Sequence, residues 1–72
     1  MNIQDMTELA REIDFDIRLS IRARLSYDKS VAMAVSAIMR LSHGTANPEI
    51  IRSIVLMHKQ PFIDAGYTDI PL

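Results

Sequence analysis

From Ile13 to Ser26 apolar and polar residues alternate without a break: Ile13, Phe15, Ile17, Leu19, Ile21, Ala23 and Leu25 are separated by Asp14, Asp16, Arg18, Ser20, Arg22 and Arg24. A period of two places every apolar side chain on one face of an extended strand and every polar one on the other. Ile and Phe favour strands, while Asp and Ser are poor residues inside a helix. The alternation therefore predicts a strand, centred on Ile17–Leu25. A helix is the competing reading. At about 100° per residue, Leu9, Ile13, Ile17 and Ile21 form one i,i+4 row, and Phe15, Leu19 and Ala23 form a second row on nearly the opposite side. A helix with two apolar faces has to be sandwiched inside an oligomer. Arg24 would then lie close to the first apolar row and snorkel out from the helix end.

The flanking segments read as helices. Asp5-Met6-Thr7-Glu8 has the form of a capping box, and Met6, Leu9, Ala10 and Ile13 follow at helical spacing, which predicts a short helix over residues 6–13. Ser26 can cap a helix from Tyr27 to His43 with Val31, Ala34, Val35, Ile38 and Leu41 on its buried stripe. Gly44 stands where a left-handed cap is wanted, with His43 at the helix end beside the dipole. Asn47-Pro48 supplies a cap and a first-turn proline for another helix, whose apolar face holds Ile50, Ile51, Ile54, Val55 and Met57 or His58. Pro61 stops or kinks that helix. Pro61–Ala65 can add one turn ended by Gly66, and Tyr67–Leu72 reads as an extended tail. Met6, Met33, Met39 and Met57 are expected to fill gaps in the core, although methionine also suits an adaptable binding surface.

Size sharpens the strand reading. A chain of 72 residues and 8.2 kDa is one domain. Folds this small usually need disulfides, a metal or a partner chain. Cysteine is absent and His43 and His58 are the only imidazoles, so no disulfide, thiolate zinc site or other metal centre is expected, and no cofactor. With 49% of residues apolar, self-association into a homodimer is the expected support. A single strand cannot form a sheet. The available partner for Ile17–Leu25 is its own copy, which gives a two-stranded antiparallel ribbon on a twofold axis. Leu19, Ile21, Ala23 and Leu25 would close the shared core, and Arg18, Ser20, Arg22 and Arg24 would face out.

The segment Arg18–Ser26, followed by a helix ending at Gly44 and then by Gly44–Val55, resembles the ribbon-helix-helix family, the methionine-repressor and Arc type of transcription factor, over residues 17–58. The resemblance implies a mainly α, ribbon-helix-helix-like homodimer with one intermolecular strand per chain. An all-α three-helix dimeric bundle is the alternative. It departs from the family in a longer first helix, in Asp14 and Asp16 ahead of the ribbon, and in Pro48, which removes a backbone donor. Carried over, the family's roles put Ser20, Arg22 and Arg24 in the DNA major groove, where an arginine fork meets guanine O6 and N7 together. Arg18 or Lys29 would touch phosphate, and the helix start at Asn47 could hold another. A strip of arginines is equally what the solvated face of a half-buried sheet looks like.

Charge supports an anionic partner. In residues 1–16, Arg11 stands against Asp5, Glu8, Glu12, Asp14 and Asp16, a balance of −4; residues 17–59 carry +5, and the tail from Gln60 carries −2. A basic centre between acidic ends points to nucleic acid, unless the acidic arm neutralises the centre in cis. The domain plan is thus an acidic arm over 1–16, a strand-helix-helix core over 17–58 and a tail over 59–72. That tail holds Phe62, Tyr67 and Ile70, which are expected to dock on the dimer or on a second protein.

Other classes fit poorly. There is no nucleophile motif and no glycine-rich phosphate loop, so no enzyme is expected. The longest apolar run, Val31–Val35, is too short to span a bilayer, and Met1–Gln4 lacks the form of a secretion signal, which leaves a cytoplasmic protein. Two functions remain as expectations. One is a dimeric DNA-binding regulator, a small repressor or antitoxin. The other is an all-helical protein–protein interaction module that inhibits or adapts a partner through exposed Met and aromatic residues.

Overall fold

In the computed structural model, which describes residues 6–71, four helices follow one another: α1 Met6–Arg22, α2 Tyr27–Leu41, α3 Pro48–Leu56 and α4 Gln60–Asp64. No strand occurs among the described residues. The ribbon over Ile17–Leu25, and with it the ribbon-helix-helix-like fold, is overturned; the all-α alternative of three main helices is the one that forms. The cap expected of Asp5 and the tail's last residue, Leu72, lie outside the described residues.

Two local devices let the alternating segment coil. A helix satisfies its own backbone N–H and C=O groups, whereas a strand needs a neighbour. In α1 two polar side chains, Arg18 and Ser20, also find partners one turn back. Arg18 Nε donates to Asp14 Oδ2 at 2.8 Å, and the Ser20 hydroxyl donates to the Asp16 carbonyl at 3.0 Å. That back-bond lets a serine sit in the buried face of a helix. The helix expected over 6–13 therefore continues to Arg22. Leu9, Ile13 and Ile17 are buried, with Ser20 beside them, and Ile21 is half-buried against the core.

The ends of α1, α2 and α4 follow one pattern. After α1, the Arg24 N–H bonds to the Ile21 carbonyl at 2.9 Å and the Leu25 N–H to the Ser20 carbonyl at 3.0 Å, with Arg24 at φ 60°. This is a Schellman cap carried by an arginine in the left-handed conformation that glycine usually supplies. Arg24 is thus a turn residue, neither on a strand nor in the apolar row. The motif recurs after α2, where the left-handed position falls on His43 at φ 55° and Gly44, also positive at 77°, bonds to the Met39 carbonyl at 2.9 Å. It recurs after α4 with Gly66 at φ 85°.

The capped starts were legible. Ser26 accepts from the Lys29 N–H at 3.2 Å and Asn47 Oδ1 from the Glu49 N–H at 2.9 Å, with Pro48 in the first turn of α3. α2 packs against both α1 and α3 and buries Tyr27, Val31, Ala34 and Ile38; α3 contributes Ile51 and Val55. Pro61 neither stops nor kinks α3, which has already ended at Leu56; it opens α4, and α4 packs on α1. Of the methionines expected in the core, only Met39 packs against it; Met6, Met33 and Met57 are exposed.

The tail folds back on its own chain. Phe62 is fully buried, edge-on to Tyr27 at 4.9 Å and to Tyr67 at 5.2 Å between ring centres. The Tyr67 hydroxyl donates to the Leu25 carbonyl beyond the α1 cap. Ile70 is half-buried against the same core. Truncating Phe62 to Ala is expected to cost about 3–5 kcal/mol, a large share of the roughly 4–11 kcal/mol open to a domain of this length; urea unfolding should show the midpoint collapse. Arg24→Gly should act the other way and stabilise by about 0.5–1 kcal/mol, since the φ strain is relieved at some cost in unfolded-state entropy. A thermal melt should read that as a rise of about 2–8 °C.

Candidate functional site

With the row Leu9–Ile13–Ile17 in the core, the second apolar row of α1 is left outside. Phe15 is 59% exposed and Leu19 46%, one turn apart, with Ala23 exposed beyond them. Glu8, Arg11, Arg18 and Arg22 are exposed around this row. The two-faced helix of the competing sequence reading is what the chain builds, and its outer face is uncovered.

The residues expected to read DNA do not form one surface. Ser20 is buried and spent on the Asp16 carbonyl. Arg24 is the left-handed turn residue, Lys29 is exposed in the first turn of α2, and Asn47 caps α3. Only Arg18 and Arg22 stay together. They border a shallow hollow of about 410 Å³ between α1 and α4, floored by Ile21, Pro61 and Ala65 and opposed by Asp64. Arg18 is already held by Asp14, a bond that raises its pKa. Of the three tail residues expected to bind a partner, Phe62 is covered completely, and Tyr67 and Ile70 are half-buried on their own core.

A surface that sequence reading merged into the core lies on α3. Ile50, Ile51, Ile54, Val55 and Met57 or His58 read as one apolar face. In the fold, Ile51 and Val55 turn to α2, while Ile50 is 58% exposed and Met57 79%. Half-buried Ile54 bridges the two sets. The signal was the width of the face: at about 100° per residue it spans roughly 160° from Met57 to Val55, wider than the ~100° stripe an amphipathic helix ordinarily buries. His58 sits at the end of this helix with Nδ1 3.0 Å from the Ile54 carbonyl.

Among the described residues, Asp16 Oδ2 in α1 and Ser30 Oγ in α2 are buried side-chain polar atoms without hydrogen-bond partners. Burial, and then the neighbouring Glu12, push the Asp16 carboxyl above its usual pKa, with Arg40 opposing. No group of three or more His, Cys, Asp or Glu residues suited to a metal occurs among the described residues, and none of their helices is long and apolar enough to cross a membrane. No protein-family model, curated protein or solved structure matches the chain.

The Asp16 shift carries a pH signature. A carboxyl whose folded pKa is raised gives stability that is present at acid pH and lost as pH rises through the folded value. Asp16→Asn, which stays neutral, should therefore raise the melting temperature at pH 7, modestly because the group is partly exposed. The gain should vanish at acid pH, where the wild-type carboxyl is protonated. Melts of both proteins across that range check it.

Proposed function

We propose that this protein is a small all-helical protein–protein interaction module that inhibits or adapts a partner, and that α3 is the helix it presents. The supporting observation is the pair Ile50 and Met57, seven residues apart and both exposed, with Ile54 half-buried between them against the core. That spacing is how an amphipathic helix anchors in an apolar groove. Methionine suits the role because its unbranched thioether adapts to an irregular surface. The partner is accordingly a protein with an apolar groove long enough for two turns of helix. The ribbon that would have read DNA does not form, and Arg18, Ser20 and Asn47 are engaged within the chain.

Photo-crosslinkers placed at Ile50 or Met57 in the producing cells should give one discrete protein adduct, and a crosslinker at exposed Lys29 should give none. Once the partner is isolated, Ile50→Asp with Met57→Asp should weaken its binding by at least about 30-fold, the loss of one anchor of roughly 2 kcal/mol, with the helical dichroism unchanged. Retention on duplex DNA that falls steeply with added salt would overturn this reading in favour of phosphate recognition.

A further inference from the structure

The outer face of α1 poses a separate problem: Phe15 and Leu19 stand exposed in the middle of a helix whose two halves differ in charge. Exposed Glu8 and half-buried Glu12 lie towards its start, with exposed Arg11 between them, and exposed Arg18 and Arg22 lie towards its end. Glu8 and Arg22 are each seven residues from Phe15, which is two turns, so all three lie on one strip. Among the described residues, neither Glu8 nor Arg22 has an ion-pair partner in its own chain.

We infer that this face binds a second copy of the chain, α1 against α1 and antiparallel, about a twofold axis at Phe15. A twofold interface is self-complementary, because each contact is made twice. In the antiparallel arrangement Glu8 of each copy meets Arg22 of the other, and Phe15 meets Phe15 at the axis. Arg11 comes opposite Leu19 and can lay its methylene stem over it. A parallel arrangement would set Glu8 on Glu8 and Arg22 on Arg22, so charge selects the antiparallel one. The paired helices, about 25 Å long and ~10 Å wide, cover less than the roughly 800 Å² per partner of a standard interface. The dimer is therefore a weak, concentration-dependent one. Its surface is distinct from the α3 stripe, so it stands or falls apart from the partner proposed above.

Sedimentation equilibrium from micromolar to near-millimolar protein should show a monomer–dimer equilibrium. Phe15→Ser with Leu19→Ser should weaken it at least tenfold with helical dichroism retained. Glu8→Arg and Arg22→Glu each place like charges face to face and should each weaken the dimer several-fold. Mixed together they restore both contacts, and the mixture should form a heterodimer at least as tight as the wild-type dimer. These exposed charge changes decide the matter even if the double serine variant unfolds. A chain that stays monomeric throughout, a dimer indifferent to the serine substitutions, or a mixture no tighter than its components would each overturn the inference. Crosslinking through Ile50 and Met57 should survive the charge variants.

Discussion

The Phe62 ring joins three parts of the chain that would otherwise be loosely connected. It belongs to α4, packs edge-on to Tyr27 at the start of α2, and receives Tyr67 from beyond the α4 cap. Tyr67 in turn donates its hydroxyl to the Leu25 carbonyl, 42 residues away in sequence. Edge-to-face rings add about 0.5–1.5 kcal/mol each beyond the area they bury. In a chain with no disulfide, such a cluster is what offsets the entropy of closing so long a loop. It also decides what the tail does. Phe62, Tyr67 and Ile70 are engaged in holding the fold, so these three are structural first, and a partner surface has to be sought on the exposed faces of the helices.

How far the sequence carries is clearest in α1. Its residues satisfy a period of two and a helical period at once, and pattern alone does not choose between them. The decisive information is in the polar positions. Asp14 with Arg18 is an i,i+4 side-chain pair, and the Ser20 hydroxyl bonds the Asp16 backbone carbonyl four residues back. In a strand those four residues share a face but serve no backbone, and the strand itself depends on a second chain for its hydrogen bonds. Local satisfaction therefore wins. Ser26, Asn47-Pro48, Gly66 and the buried stripe of α2 were legible because capping and spacing act within a few residues. The left-handed positions at Arg24 and His43 were not, since neither residue type advertises a positive φ, and glycine at 44 drew the cap one residue too far along.

The same limit explains the misplaced surface residues. A nine-residue helix packing on one neighbour can bury only a narrow stripe, and α3 spends that stripe on Ile51 and Val55. Ile50 and Met57 have the hydropathy of core residues and the angular position of surface ones. Sequence alone supplies the first property, while the second depends on which neighbours α3 has. Met33 on α2 follows the same logic, being exposed although its neighbours Val31 and Ala34 are buried.

Charge segregation takes on a different meaning once the first helix is continuous. An acidic arm and a basic centre read as separate segments suggest an anionic partner. Folded, Glu8 and Glu12 lie towards the N-terminal end of α1, and Arg18 and Arg22 towards its C-terminal end. That is the order that complements a helix dipole, with negative groups at the positive end and positive groups at the negative end. The gradient thus has a structural cause before any ligand is invoked. It also leaves a helix whose surface is the electrostatic mirror of its own antiparallel copy, with Phe15 midway between Glu8 and Arg22. A phosphate backbone would meet attraction at one end of that helix and repulsion at the other. A second α1 running the opposite way meets attraction at both.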